Sequence, residues 1–351
     1  MNYMTEYCML RQSEDYHDYS LSFNKDQILN RLLSDIKSED IIPFLTKYPE
    51  DNNTEIKEAI RCLIPAEELL IGSGSEELIW RINRVLLLGK KVAVVVPNFY
   101  RIYESIENPV FISQPYDPVA CELEMGELSG ALKRCHYDAV WLANPNPITG
   151  KAYRRQELKV LVEQYPDTLF LIDEVSIDAV LEMEKYTMFE ECLSYANVIV
   201  LRSFSKFYGF PGMRLGYAAG NPALISFINN HSPVYPVSNI NCVIVKWITE
   251  HQDIYEAFKR RIAINKECLS DIVQNTDLYL IRSLTNTVIL GSKSESSCLW
   301  NTFKELNILT TALDRETGVI GRNLVRLTIH SDKNEFDFLS KKILNIFSSG
   351  V

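Results

Sequence analysis

The chain has 351 residues, of which 46% are hydrophobic and 23% charged, and its formal net charge is −10. This balance is ordinary for a globular protein with a sizeable core. The acidic excess argues against a general nucleic-acid binder, whose phosphate contacts need a basic face. The eight cysteines show no Cys-x-x-Cys spacing, so we expect no metal site and no redox pair, but free thiols in a reducing compartment.

We expect that the N-terminal stretch is not a secretory signal. Residues 1–20 are rich in acids and tyrosines and lack the apolar core of a secretory signal. No apolar run approaches the roughly 20 residues of a membrane span. We therefore expect a cytoplasmic protein without a membrane partner, whose first residues form an arm.

The first half of the chain predicts helices and then a glycine turn. Apolar residues recur at helical spacing from Asp26 to Ile36 and again from Ile56 to Leu63. The following segment, LLIGSGSEELIWRINRVLLL, is typical of a strand end, a glycine turn and a long helix.

Four apolar runs in the middle predict buried strands: KVAVVVP, YDAVWLANP, TLFLIDEV and NVIVLRSF. Helical stretches such as Arg155–Tyr165 lie between them, and this alternation indicates an α/β fold with a mostly parallel sheet. Beyond about residue 240, LYLIRS, NTVILG, ILTTALD and LVRLTIH are shorter strand-like runs, and Glu335–Phe347 is helical. They indicate a smaller α+β domain. We expect an arm and small-domain segment at 1–45, a large domain at 46–238 and a small domain at 239–351.

Ligands of an open parallel sheet bind beyond the carboxyl ends of its strands. This rule places five polar segments along one rim: Gly72–Glu76, Pro97–Tyr100, Asn144–Gly150, Asp173–Ser176 and Ser203–Lys206.

The last of these segments carries groups suited to a phosphorylated aldehyde. Ser203, Ser205 and Lys206 leave the end of a buried strand together, and a glycine-rich loop then leads to Arg214. Hydroxyls and an arginine fork suit a dianionic phosphate. A lysine in an apolar pocket has a lowered pKa and becomes a nucleophile toward an aldehyde. A lone lysine would more often be a surface residue, but the cluster favours a chemical role.

Asp173 follows four apolar residues at another strand end. One acid there is often a helix cap, a metal ligand or a structural group. A carboxylate at such a rim can also keep a pyridine nitrogen protonated, so that the ring acts as an electron sink. A phosphate, an aldehyde and a pyridine nitrogen are the parts of pyridoxal phosphate (PLP).

These segments together resemble the fold type I (aspartate aminotransferase-like, class I/II) PLP enzymes. The pattern is most similar to the histidinol-phosphate aminotransferase family, which includes threonine-phosphate decarboxylase. The resemblance runs from about Tyr48 to Arg326, and SFSK followed by GMRLGY is its most specific piece. It implies a three-layer large domain and these roles: Lys206 as Schiff-base lysine and catalytic base and acid, Asp173 at the pyridine nitrogen, and Arg214, Ser203 and Ser205 at the phosphate.

Two further segments extend the resemblance to the cofactor. GSGSEELI resembles the family's glycine turn, where Gly74, Ser75 and Glu76 would offer mainly backbone N–H groups to the phosphate at a helix N-terminus. PNFYRIY resembles the segment whose aromatic ring stacks on the pyridine. Spacing leaves Phe99 and Tyr100 both open, and we favour Phe99.

The resemblance also implies a partner subunit and a substrate contact. KYPED resembles a segment whose tyrosine, here Tyr48, reaches the cofactor phosphate of the partner in a homodimer. LVRLTIH resembles the strand whose arginine, here Arg326, holds the substrate carboxylate, although a solvent-facing arginine is the alternative. Arg322 is a second possible anion contact.

This chain departs from the family near the cofactor's phenolic oxygen. The family reads Asn-Pro-Asn-Asn-Pro-Thr-Gly, whereas residues 144–150 here read NPNPITG, so Pro147 stands where a donor is expected. Asn146 could replace it if the loop shifts by one residue. Ser176 stands where the family has a tyrosine and is too short to reach that oxygen without water. Loss of both donors predicts a raised pKa of the lysine–cofactor Schiff base.

The leading interpretation is a PLP-dependent aminotransferase that moves an amino group between an amino acid and a 2-oxo acid. Decarboxylation of a phosphorylated amino acid is the second, and a catalytically altered PLP-binding protein is the third. The sequence leaves the amino acid, its acceptor and the pathway open, because SFNKDQI also departs from the family element that approaches the substrate.

Overall fold

The computed structural model describes residues 3–13, 15–50, 53–293, 298–313 and 323–347. The strands in chain order are β1 His17–Asp18, β2 Leu70–Gly72, β3 Val92–Val96, β4 Val110–Ser113, β5 Ala139–Ala143, β6 Leu169–Asp173, β7 Val198–Ser203, β8 Gly216–Gly220, β9 Leu278–Ile281, β10 Thr287–Ser292, β11 Ile308–Leu309, β12 Thr311–Ala312 and β13 Leu324–Thr328.

The helices in chain order are α1 Tyr3–Leu10, α2 Gln27–Leu33, α3 Ser38–Leu45, α4 Thr54–Arg61, α5 Ser75–Leu86, α6 Arg101–Glu104, α7 Gly126–Arg134, α8 Arg155–Gln164, α9 Phe189–Cys192, α10 Pro222–Asn230, α11 Asn241–Glu250, α12 Gln252–Gln274, α13 Leu299–Glu305 and α14 Lys333–Phe347. Across the described residues, none of these helices is both long enough and apolar enough to span a bilayer.

A seven-stranded sheet, in the order β2-β8-β7-β6-β5-β3-β4, organises the middle of the chain. β8 runs antiparallel to both of its neighbours, while the other pairings in this sheet are parallel. The α/β fold with a mostly parallel sheet is therefore confirmed.

The valine-rich strands are apolar throughout because cores cover both faces of this sheet. Ile172 and Val200 pack in one core, whereas their chain neighbours Leu171 and Ile199 pack in the other. Alternate residues of a strand point to opposite faces, so burial of both sets removes the period-two pattern that a half-exposed strand would show.

A second, antiparallel sheet has the order β12-β13-β10-β9, and β1 pairs in parallel with β11 beside it. Tyr19 lies in the same core as Leu290 and Val325 of this sheet. The start of the chain is thus not a simple arm, because α1 and β1 form there and β1 is held by residues near the other end. The domain boundaries at 45/46 and 238/239 stay predictions.

Candidate active site

The carboxyl ends of the central parallel strands meet at one rim, as the sequence predicts. Asp173 at the end of β6 is level with Ala143 of β5 and with Leu201 of β7. Ser203, the last residue of β7, pairs with Gly216, and Gly216 pairs on its other side with Gly72. The loops that follow β2, β5, β6 and β7 therefore start from neighbouring positions.

Lys206 is partly buried just beyond β7. Its Nζ donates to the carbonyl oxygen of Leu21 at 2.8 Å, and its own carbonyl accepts the N–H of Asn24 at 2.9 Å. Burial, and then the positive charge of Arg326, lower the pKa of Lys206 to about 8. At pH 7 an amine with this pKa is neutral in about a tenth of the molecules, far more than an ordinary lysine.

Asp173 is buried, and its Oδ1 accepts the N–H of Val175 at 2.9 Å. Burial raises the pKa of this carboxyl to about 6, while the backbone hydrogen bond and the charge of Lys206 oppose the rise. A cation placed against Asp173 would stabilise its charged form.

A cradle for an anion lies at the start of α5. The guanidinium of Arg214 donates from Nη2 to the Ser73 carbonyl at 3.3 Å and from Nη1 to the Pro211 carbonyl at 3.1 Å. Gly74 has φ of +81°, and a Cβ there would lie 3.0 Å from Cζ of Arg214. A Cβ at Gly216 would lie 2.7 Å from the Ser75 nitrogen. The two glycines thus leave the helix N-terminus and the arginine side by side.

The other predicted phosphate contacts start at this rim. The Ser205 N–H donates to Oγ of Ser203 at 3.1 Å, and Ser203 Oγ donates to the Leu215 carbonyl at 3.3 Å. The carboxylate of Glu76 forms an ion pair with Arg101 at 3.0 Å. Any contribution of Glu76 to an anion therefore comes from its backbone.

Phe99 and Tyr100 differ in burial. Phe99 packs against the core that contains Ile102, whereas Tyr100 is 41% exposed and lies under the guanidinium of Arg101 at 4.9 Å from ring centroid to Cζ. The two rings make an edge contact with centroids 5.3 Å apart. Which of them stacks on a cofactor stays a prediction.

Asn146 is buried and holds two rim loops together. Its Nδ2 donates to the Pro97 carbonyl at 2.6 Å, and its Oδ1 accepts the N–H groups of Ile148 and Thr149 at 2.9 and 3.0 Å. One amide hydrogen of Asn146 is therefore engaged in loop structure. Ser176 is also buried at the rim. The donor role expected of either residue stays a prediction.

Arg326 reaches the rim from the second sheet. It lies on β13 between the buried Val325 and Leu327, its Nη1 donates to the Pro147 carbonyl at 2.6 Å, and its Nη2 donates to the Ser20 carbonyl at 3.2 Å. The predicted substrate-carboxylate arginine is thus not solvent-facing. Arg322 lies outside the described residues.

Tyr48 is 84% exposed, and its ring lies 5.5 Å from that of Tyr235, centroid to centroid. A side chain this exposed contributes little to the core of its own chain.

Sequence reasoning missed a buried ion network behind the rim. Arg202 donates from Nε and Nη2 to Oε2 of Glu174 at 3.1 and 3.0 Å, and its Nη1 lies 3.9 Å from Oδ1 of Asp178. Burial raises the pKa of both carboxyls, and the charge of Arg202 opposes this. The sequence offered one signal for this network. Glu174 and Arg202 are charged residues near the ends of two otherwise apolar runs, TLFLIDEV and NVIVLRSF.

A second missed residue is Arg11, whose positive charge also lowers the pKa of Lys206. The sequence around it showed only a polar N-terminal stretch. The N-terminal segment that carries Arg11 is held by its pairing with β11 and β13, which has no local sequence signature.

Comparisons with known proteins place these features in a family context. The model of the family described as aminotransferase class I and II matches residues 23–343. Histidinol-phosphate aminotransferase 2 of Oceanobacillus iheyensis is 31% identical over 186 residues, which cover 52% of this chain and 50% of that protein. A putative threonine-phosphate decarboxylase of Caldanaerobacter subterraneus is 26% identical over 231 residues, 64% of this chain and 61% of that protein. The matched segments thus span between half and two thirds of these relatives.

Solved structures show the same fold. The crystal structure of histidinol-phosphate aminotransferase from Sinorhizobium meliloti in complex with pyridoxal-5'-phosphate superposes with a TM-score of 0.77 and 20% sequence identity. The superposition covers 93% of this chain and 90% of that one.

Proposed function

The chain belongs to the class I and II aminotransferase family, and on this premise we propose that it is a PLP-dependent enzyme that moves an amino group between an amino acid and a 2-oxo acid. The resemblance read from the sequence motifs is confirmed at the level of the family. The proposal rests on one observation above all: Lys206, Asp173 and the Arg214 cradle lie at one rim of the sheet.

The residues at the rim fit PLP. The cradle of Gly74, Gly216 and Arg214 at the start of α5 provides N–H donors, a helix dipole and a guanidinium, which suit a dianionic phosphate. Ser203 and Ser205 would add hydroxyls, Lys206 would hold the aldehyde carbon, and the buried carboxylate of Asp173 would hold the pyridine nitrogen. When bound, PLP supplies an electron sink for negative charge at the α-carbon of an amino acid.

The side chains then have separable tasks. Lys206 has a pKa near 8, which suits a group that takes a proton from the substrate α-carbon and returns one close to neutral pH. Asp173 keeps a proton on the atom facing it, because an ionised carboxylate stabilises a neighbouring cation. Arg326 offers a planar guanidinium that can bind the substrate carboxylate in a bidentate pair and so fix the orientation of the α-carbon.

Decarboxylation of a phosphorylated amino acid is the second candidate. It is favoured by the match to a relative named as a putative threonine-phosphate decarboxylase, which extends over 64% of this chain. The same lysine, aspartate and phosphate cradle would serve this lyase reaction, and the bond that breaks would depend on how the carboxylate is held. A PLP-binding protein without catalysis is disfavoured because Lys206, Asp173 and Arg326 all reach the rim.

The protein works, in this proposal, as a homodimer. Tyr48, Leu45 and Val234 are exposed large hydrophobic residues. An exposed apolar surface of this kind suits contact with a second copy of the chain. In the dimer Tyr48 would reach the phosphate bound by the partner subunit.

The proposal is tested by the absorbance of the PLP-loaded protein before and after glutamate is added. Conversion of the visible band to that of pyridoxamine phosphate supports amino transfer, and loss of CO₂ from a phosphorylated amino acid without that conversion supports the lyase. Borohydride reduction followed by peptide mapping should then place the cofactor mass on Lys206. Lys266 is the internal control, since burial also lowers its pKa to about 8 while its Nζ is bound to the Thr285 carbonyl at 2.7 Å. Label on Lys266 instead of Lys206 would refute the assignment.

A further inference from the structure

A cavity of about 300 Å³ lies beside β2 and is separate from the proposed cofactor site. Its walls come from the start of α4, from Ile71 of β2, from α5 and from the end of α10 with the loop that follows it. None of the described residues that line this cavity is a predicted cofactor contact. Its volume is at the lower end of the range for small-molecule sites, so it suits a small ligand.

Lys57 is a buried lysine in the wall of this cavity. It is 6% exposed and is buried together with Ile56 and Ile60 of the same helix. Across the part of the chain that the structure describes, its Nζ takes part in no hydrogen bond and no ion pair. Nζ is also not among the polar atoms that are sealed from solvent, so the ammonium opens on the cavity that the residue lines. A buried ammonium without a partner is unfavourable, and an anion beside it would relieve this.

Arg81 is a second buried cation of the cavity wall, and its charge is already neutralised. Its Nε donates to Oε1 of Glu77 at 2.8 Å, its Nη2 donates to Oε2 of the same carboxylate, and its Nη1 donates to the Ile71 carbonyl at 3.1 Å. These bonds use three of the five N–H groups of a guanidinium and leave one on each terminal nitrogen. Arg81 can therefore donate to a ligand, while the uncompensated positive charge of the cavity is that of Lys57.

The nearby acids do not neutralise Lys57. The charge of Glu68 acts on Lys57, but Glu68 lines a different cavity, and burial still lowers the pKa of this lysine. Glu55, on the same helix, accepts at Oε2 from Nδ2 of Asn239 at 3.1 Å. Among the described residues, the cavity thus has a cation without a counter-ion.

We propose that this cavity is a binding site for a small oxyanion, a carboxylate or a phosphate. The ammonium of Lys57 supplies the charge, and the remaining N–H groups of Arg81 supply directed hydrogen bonds. The site lies outside the proposed reaction and does not depend on it.

The burial of Lys57 favours a freely diffusing ion as the occupant. Val234 and Pro236 line the cavity and flank Tyr235, whose ring contacts that of Tyr48. The cavity therefore lies next to the surface proposed to face a second copy of the chain. A carboxylate of that copy would have to reach a lysine that is only 6% exposed, whereas a small ion can enter the cavity itself.

The test measures anion binding by the PLP-loaded protein, since a bound cofactor keeps free phosphate out of the Arg214 cradle. Inorganic phosphate and acetate are the probes, and acetamide is the uncharged match of acetate. Their dissociation constants would be determined by calorimetry at constant ionic strength for the wild type, Lys57→Met and Lys57→Arg. Lys133→Met is the control, because Lys133 is an exposed lysine in the last turn of α7.

We expect the wild type to bind at least one of the two anions and not acetamide. Lys57→Met should weaken that anion by about 10-fold to 100-fold, the usual loss for a charge-assisted hydrogen bond. Lys57→Arg should retain part of the affinity, and Lys133→Met should have no effect. Equal affinities of the wild type and Lys57→Met would overturn the inference. It would also be overturned if neither anion bound the wild type saturably, as is expected when an acidic side chain of the partner occupies the cavity.

Urea unfolding separates anion binding from a structural role of Lys57. Without the bound anion, Lys57→Met should be at least as stable as the wild type, because an apolar chain of similar length replaces an unpaired buried ammonium. Adding the anion should raise the unfolding midpoint of the wild type and leave that of Lys57→Met unchanged. A variant that is already less stable before the anion is added would show that Lys57 stabilises the fold through contacts of its own, which would overturn the inference.

Discussion

The Nζ atom of Lys206 donates a hydrogen bond to the carbonyl oxygen of Leu21, which lies 185 positions earlier in the chain. The next carbonyl back, that of Ser20, accepts from Arg326. Two successive backbone groups of the N-terminal segment therefore touch the two cations to which we assign the chemistry and the substrate carboxylate. The conformation of this segment and the charge state of the site are linked through these contacts.

The pH dependence of cofactor capture should report the pKa of Lys206. Because burial and Arg326 lower this pKa to about 8, the neutral amine increases as the pH rises through 8 and not through 10 or above. We expect the rate at which the apoprotein captures PLP, followed by stopped-flow absorbance, to rise with a midpoint near pH 8. Arg326→Gln removes a positive charge and should move the midpoint to higher pH, whereas Arg31→Gln, at an exposed arginine in the last turn of α2, should leave it in place. A midpoint that stays or falls in Arg326→Gln would contradict this electrostatic coupling.

Asp173→Asn should lower kcat and should also change how the stability of the apoprotein depends on pH. Without the carboxylate we expect kcat to fall by about 100-fold or more, the usual loss when an oriented electrostatic group is removed. The folded-state pKa of Asp173, about 6, lies above its unfolded value, so stability from this group is present at low pH and is lost as the pH rises through 6. The wild-type apoprotein should therefore lose about 2 to 3 kcal/mol relative to Asp173→Asn between pH 4 and pH 7. Parallel pH profiles of urea unfolding for the two proteins would show that this carboxyl keeps an ordinary pKa.

Gly74→Ala should impair the phosphate cradle. Its φ of +81° strains any L side chain, and the added Cβ would meet the Arg214 guanidinium. We expect the dissociation constant for PLP to rise by about 10-fold or more, as for the loss of a charge-assisted contact. Gly89→Ala is the matched control, because Gly89 has φ of +68° with no atom within 4 Å of an added Cβ. It should carry the backbone strain alone and leave PLP binding unchanged, so equal effects of the two substitutions would count against the cradle.

Arg202→Met should destabilise the fold strongly. It removes the cation that faces Glu174 and Asp178 and leaves two buried carboxyl groups, and breaking a buried pair in this way costs about 3 to 5 kcal/mol. Chemical unfolding should show this loss, and it should shrink at low pH, where the carboxyls are protonated. Arg154→Met is the control, because Arg154 is exposed and its partner Glu122 is only partly buried, so this ion pair should contribute far less. A loss no greater than that of the control would mean that Arg202 is dispensable.

The central sheet and the reactive rim were predictable from the sequence because their signals are local. Runs such as VAVVV and LFLID predict buried strands, and the polar residues that follow them must lie at the carboxyl edge of a parallel sheet. This rule predicts that Lys206 and Asp173 lie at one rim, whereas the roles proposed for them and for Arg214 come from the family resemblance.

The rest depended on contacts between distant segments. β1 has two residues, too few for a periodic signal, and it exists because β11 pairs with it. The network around Arg202 arises from packing, which no spacing encodes. The sequence allowed Asn146 to serve as a donor, and the structure adds that its amide also supports the Pro97 loop.

The crossing of the N-terminal segment to the second sheet sets an order for synthesis of the molecule. The Ser20 carbonyl accepts from Thr311 Oγ1, 291 positions later, and from Arg326. Ser20 leaves the ribosome early, but it can form these contacts only after nearly the whole chain has been synthesised, since contacts so distant in sequence form late. The parallel sheet and the phosphate cradle can form while translation continues. The contact between the N-terminal segment and Arg326, the residue proposed to bind the substrate carboxylate, can form only after β13 has emerged. Nascent chains should thus gain affinity for the cofactor phosphate before they gain any selectivity for the amino acid.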